Sequence, residues 1–232
     1  MTRLTLGLLG LAASVAAAPL LQVDAPEAAV TCVSGLYMIV ARGSLQEPGE
    51  GKIVQVTDLV KALVPGSVSV AVDYPASIIG DGTYAVSVAK GINDTIEKVQ
   101  TYVDACGASS QIALLGSSQG GNVMTNALAG AILEPDPLTE AYTQYIKAVT
   151  VFGDPTYTKN QVFNVGNATK SGLFARGGAS LTKLNTFADI LRSYCMAGDL
   201  FCAGGLSLAT HNAEVPTWAD AAAEFIASKT LL

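Results

Sequence analysis

The chain holds one histidine, His211, and one GxSxG pentapeptide, Gly116-Ser117-Ser118-Gln119-Gly120. A serine hydroxyl is a poor nucleophile near neutral pH until an adjacent base takes its proton. Imidazole suits that task because its ordinary pKa is about 6.5. With a single imidazole in the sequence, nucleophilic catalysis by serine must pair Ser118 with His211. A carboxylate is then needed to orient the ring and stabilise its positive charge. Asp199, before His211 and inside the segment from Cys195 to Cys202, completes the chain order Ser, Asp, His that α/β hydrolases use. Asp154 competes, since Gly153-Asp154-Pro155 follows a predicted strand and would reach the same sheet edge. A Gly-Asp-Pro turn has a structural explanation of its own, however, because the aspartate can bond its own turn while proline fixes the next dihedral. Asp189, in a helix-like stretch, is a weaker candidate.

These groups need elements that bring them together. Gln111 to Leu115 reads as a strand, Gly116 to Gly120 as a sharp turn and Gly121 onward as a helix. That strand-turn-helix context is what a nucleophile elbow requires, because the turn crowds the backbone and flanking glycines make room for it. The plainer reading is a glycine-rich turn in which Ser118 merely caps the helix. Leu36 to Ala41, Val68 to Tyr74, Ile112 to Leu115, Ala148 to Phe152 and Leu184 to Phe187 form short apolar runs without polar alternation, as strands buried on both faces do. Between them Val88, Ile92, Ile96, Val99 and Val103 recur at helical spacing on a segment ending near Cys106. Ile53 to Leu63, Asn122 to Leu133 and Trp218 to Ile226 also read as helices. This alternation predicts an α/β fold: a mostly parallel, five-stranded sheet flanked by helices.

The ends and the composition bound the setting. Arg3, the apolar stretch Leu4 to Val15 and the small residues Ala16 to Ala18 predict a signal peptide over residues 1–18. Residues 19–30, with Pro19 and Pro26, read as a flexible leader or short propeptide, and 31–232 as one domain. The net charge of -6 and the absence of a Lys/Arg cluster argue against nucleic acid or an anionic membrane as partner. Four cysteines in a chain bound for an oxidising compartment predict two disulfides. Of three connectivities, Cys195 with Cys202 closes a short loop around Asp199 and leaves Cys32 with Cys106. A zinc site is disfavoured by the spacing and the lone histidine, so no metal or cofactor is expected. Asn93-Asp94-Thr95 and Asn167-Ala168-Thr169 are candidate glycan acceptors.

Gly116-Ser117-Ser118-Gln119-Gly120, the segment Ala41-Arg42-Gly43-Ser44, and Cys195-Met196-Ala197-Gly198-Asp199-Leu200-Phe201-Cys202 followed by His211 resemble the cutinase family, which includes acetylxylan esterases. The likeness runs from Cys32 to the last helix. It implies a small, largely lidless α/β hydrolase acting on esters as a monomer, with the triad Ser118, Asp199 and His211. It also implies an oxyanion hole from the backbone N–H of Gln119 and the N–H and hydroxyl of Ser44; read without the family, Ser44 is only a loop serine. The family usually has tyrosine where this chain has Ser117, a departure that alters the wall beside the nucleophile. Val72-Asp73-Tyr74-Pro75-Ala76, Gly120-Gly121-Asn122 with Asn126-Ala127-Leu128, and Ala209-Thr210-His211 look closer to the acetylxylan esterase branch. Leu206 and Leu208 would instead present an apolar, cutinase-like wall, although leucine more commonly packs; Ile78 and Ile79 would face them. The expected function is a secreted carboxylic ester hydrolase on cutin-type or acetyl esters of plant polymers. The alternative from another class is a catalytically silent polymer-binding protein.

Overall fold

The computed structural model describes residues 30–230; the expected signal peptide and all but the last residue of the expected leader lie outside them. Six strands, β1 (Tyr37–Ala41), β2 (Val68–Ala71), β3 (Ile112–Ser117), β4 (Ile146–Phe152), β5 (Asn164–Val165) and β6 (Leu191–Tyr194), form one sheet in the order β2-β1-β3-β4-β6-β5. Every pairing is parallel. Parallel strands need crossovers, and the helices supply them: α1 (Val54–Leu63), α2 (Tyr84–Cys106), α3 (Gln119–Ala129), the short α4 (Glu140–Thr143), α5 (Gly178–Asn185) and α6 (Leu208–Ser228).

Both faces of the sheet are covered, which explains strands without a polar face. Ile39, Ile112, Leu114, Val149 and Val151 point to one side, where Val88, Ile92 and Val99 of α2 and Val123, Met124 and Ala127 of α3 pack on them. Their strand neighbours Met38, Val40, Ala113, Leu115, Ala148 and Phe152 point to the other, against Val56 and Val60 of α1 and Val215, Ala219 and Ile226 of α6. The apolar spacing on each helix therefore places its stripe on the sheet.

The sheet has six strands where five were expected, and the last expected strand is misplaced. Leu184 to Phe187 is the end of α5 and a turn; the strand is Leu191-Arg192-Ser193-Tyr194. Its polar residues hide it, and Arg192 is accommodated because its guanidinium lies over the Phe225 ring at 4.3 Å. β5, only two residues long, carries no periodic signal. α6 begins ten residues earlier than Trp218 because Pro216 does not break it. Proline removes one helical N–H and leaves the carbonyl four residues back without a donor. That carbonyl, of Asn212, receives Lys52 Nζ at 3.5 Å, and the Asn212 side chain receives it at 2.9 Å.

Candidate active site

Ser118 stands alone between β3 and α3, at φ 56 and ψ -120. This conformation is costly for a residue with a Cβ and persists only where the surroundings enforce it. Here the Ser118 N–H donates to the carbonyl of Phe152 at 2.7 Å, and the Ser118 carbonyl accepts from Gly121 at 2.9 Å. The turn is tight enough that a side chain on Gly120 would collide with the carbonyl of Ala41, and one on Gly116 with that of Gly120. The two motif glycines are thus needed for close approach.

His211 lies in the first turn of α6, whose start is capped by Ser207 accepting from the Thr210 N–H at 3.0 Å. Its Nδ1 sits 2.8 Å from Asp199 Oδ2. Asp199 is fully buried, and its second oxygen accepts from the N–H groups of Phe201 at 2.7 Å and Cys202 at 2.9 Å. Burial by itself pushes the Asp199 carboxyl up. The hydrogen bond and charge of His211, with the two loop amides, outweigh burial and hold it below the usual carboxylate range. An ionised Asp199 accepting from Nδ1–H assigns the neutral tautomer of His211 and leaves Nε2 as the basic nitrogen. The ring of Phe201 meets the imidazole edge-on with centroids 4.6 Å apart, so this residue holds Asp199 with its backbone and packs His211 with its side chain.

Ser118 and His211 line one cleft of about 250 Å³, together with Ser44 and Ser117. Leu45, Ile78, Ile79 and Leu208 give it apolar flanks. Leu206, by contrast, is 97% exposed and outside the lining, so of the two leucines on the loop before His211 the structure brings only Leu208 to the cleft. Ser44 reaches the cleft after β1, with its hydroxyl donating to the Ser77 carbonyl at 2.8 Å. Gln119 is the first residue of α3, so its N–H has no preceding carbonyl in the helix to bond. Its side-chain oxygen accepts from Ser87 at 3.2 Å, which ties the start of α3 to α2. Among the described residues no acidic side chain lines the cleft, and Lys52 at its edge is engaged with Asn212.

Asp154 is bonded elsewhere, to Thr125 and Thr156. It is 2% exposed, and its oxygens accept from the Thr156 N–H at 2.7 Å and the Thr125 hydroxyl at 2.9 Å. Burial pushes its carboxyl up, opposed by the charge of Arg176 and by these bonds. Arg176, also buried, donates to Gly130 at 2.7 Å and Asn126 at 2.6 Å, so the pair ties the segment after β4 to α3. Asp189 is exposed in a turn. Cys32 is bonded to Cys106, and Cys195 to Cys202. Among the described residues, Cys195, Cys202 and Glu214 are spaced as metal ligands, but with both sulfurs in the disulfide they offer no thiolate. Asn93 and Asn167 are both exposed. Sequence reasoning missed Phe201, Leu45, Asn212 and the buried Glu214, though each adjoins or shares a segment with a residue it named.

The sequence model of the cutinase family matches residues 32–230. Acetylxylan esterase 2 of Talaromyces purpureogenus is 32% identical over 209 residues, 84% of this chain and 86% of that protein. Cutinase 11 of Verticillium dahliae is 31% identical over 206 residues, 84% of this chain and 68% of its own length. Among solved structures, the catalytic core domain of acetyl xylan esterase from Trichoderma reesei superposes with a TM-score of 0.77 at 29% identity, covering 86% of this chain and all of that one.

Proposed function

The chain belongs to the cutinase family, and from that premise we propose that this ester hydrolase works through an acyl-enzyme on Ser118. His211 Nε2 takes the Ser118 proton, the serine oxygen adds to the ester carbonyl, and the alcohol leaves with that proton. Water, deprotonated by the same imidazole, then releases the acid. Asp199 holds the ring and stabilises its charge. The Gln119 N–H, at the positive end of α3, stabilises the oxyanion together with the N–H of Ser44. The Ser44 hydroxyl joins them by turning from the Ser77 carbonyl. One observation carries this reading: the strained Ser118 shares a cleft with an imidazole whose far nitrogen is 2.8 Å from a buried aspartate.

Residues 31–232 act as one domain in an extracellular monomer, supported by two closed disulfides, which an oxidising compartment preserves. Among the described residues no helix is long and apolar enough to cross a membrane. The substrates are carboxylic esters of the acetyl or cutin type; relatives named for each activity match the chain. Ser117, small where the family usually carries tyrosine, leaves room beside the nucleophile. The test is hydrolysis of p-nitrophenyl acetate and butyrate with fluorophosphonate labelling. Ser118→Ala should abolish both, and full activity in that variant would end the proposal. Rates on acetylated xylan, short acyl esters and a polyester film then rank the substrates.

A further inference from the structure

Glu214 is the buried acid that ester hydrolysis does not require. It lies one turn beyond His211 on α6, on the helix face turned to the Cys195–Cys202 loop, and is 1% exposed. Its Oε1 accepts from the Met196 N–H at 2.6 Å and lies 3.7 Å from Cys202 Sγ. Its Oε2 is equally buried, and with the facing Trp218 N–H it falls short of hydrogen-bond geometry. Asp199 faces it from the loop and Tyr157 from the segment after β4, while His211 precedes it on its own helix. Among the described residues no cation is among the groups acting on it. A carboxylate here would put a second negative charge beside Asp199 with nothing to balance it. Burying an unpaired charge is costly, and such a group takes up a proton instead.

We propose that Glu214 is a positioning residue for Asp199: un-ionised, it clamps the acid's loop to the helix of the base through Met196, and its ionisation disables the site. Resting on the reading of Asp199 and His211 above, this adds a second titration to the site's pH response. Loss of the Glu214 proton would set two carboxylates against each other inside one disulfide loop. Asp199 is then displaced from the imidazole it orients. Burial pushes Glu214 up to about 8, helped by Asp199 and opposed by the Met196 N–H.

The test compares kcat/KM on p-nitrophenyl butyrate at pH 7 and pH 9 within each protein, corrected for spontaneous hydrolysis. A single ionisation near pH 8 that silences the site lowers the wild-type value roughly tenfold across this interval. Glu214→Gln, which keeps an acceptor for Met196 and cannot ionise, should show a ratio near one. A wild-type enzyme with no alkaline fall, or a variant with the same fall, overturns the proposal. Should the variant not fold, infrared spectra of the wild type decide. An un-ionised carboxylic carbonyl present at pH 6.5, absent at pH 9.5 and retained in the Asp154→Asn and Glu134→Gln variants supports the proposal, and its absence at pH 6.5 or its loss in either variant refutes it. A Ser118→Ala control separates the outcomes, because activity surviving there would remove the triad reading itself.

Discussion

Gly153→Ala tests whether the seat of the imidazole sets the rate. Gly153 follows β4 at φ +62 and donates its N–H to the Tyr194 carbonyl at 2.9 Å. A methyl built there would stand 2.7 Å from His211 Cε1, 2.8 Å from its Nδ1 and 3.4 Å from Asp199 Oδ2. Carbon atoms pack at about 3.5–4.0 Å, so the ring must retreat by about 1 Å or the turn must yield by as much. The left-handed backbone adds about 1–2 kcal/mol of strain for alanine, which lowers Tm by only about 5 °C in a domain of this size. A displacement of about 1 Å at the chemistry costs on the order of a hundredfold. The expected variant is folded, slightly less stable and about a hundredfold slower in kcat/KM on p-nitrophenyl butyrate. Melting curves and the fraction labelled by fluorophosphonate separate slow enzyme from unfolded enzyme. A folded Gly153→Ala protein with the wild-type kcat/KM would show that the imidazole is not held where the structure has it.

Asp199→Asn should lower kcat by about four orders of magnitude. Asp154→Asn should instead lower unfolding free energy by about 1–3 kcal/mol, because an NH2 replaces a buried oxygen that accepts from the Thr125 hydroxyl, with activity per folded molecule retained; urea titration and kinetics on both variants distinguish the roles. Opening the Cys32–Cys106 bridge should cost about 4.5 kcal/mol of stability and Cys195–Cys202 about 2.5, by loop length. The activity order should be the reverse, because the short bridge holds the loop whose Cys202 N–H bonds Asp199. Stability should peak in mild acid. Glu214, raised from 4.5 to about 8, contributes fully below pH about 4.5, and that contribution is lost as pH rises through about 8, by up to about 1.4 kcal/mol per pH unit. Asp154, also raised, acts in the same direction, whereas Asp199, lowered from 3.8, contributes above that value and loses its share as pH falls. Urea midpoints at pH 3, 5 and 8 check the sign, and a steady rise from pH 5 to 8 would contradict it.

What the chain reveals before folding follows from where periodicity speaks. β1, β3 and β4 are legible because strands covered on both faces carry apolar runs in place of alternation, and α2 because its stripe from Val88 to Val103 repeats over about four turns. Leu191–Tyr194 is not legible, since a strand near the sheet edge can carry Arg192 when a ring from α6 covers its stem. The start of α6 is hidden by Pro216, whose cost falls on one carbonyl that Lys52 reaches from a distant segment. Local pattern cannot report a partner supplied by tertiary structure.

The same distinction runs through the site. Ser118, Asp199 and His211 stand out because their chemistry restricts their types, their order and, at Ser118, the glycines around them. In an all-parallel sheet every strand ends at the same edge, so the segments after β1, β3, β4 and β6 deliver Ser44, Ser118, Gly153 and Asp199 to one place, and α6 returns His211 to it. Chain order thus becomes spatial adjacency without any further signal. Glu214 and Phe201 lack such a signal, because a glutamate on a helix and an aromatic in a loop have ordinary solvated or packed fates. Only the disulfide loop folding over α6 makes the one an enclosed acid and the other a wall against the imidazole. The groups proposed to perform the chemistry are therefore readable from residue type and spacing, while those proposed to tune it exist as a consequence of burial.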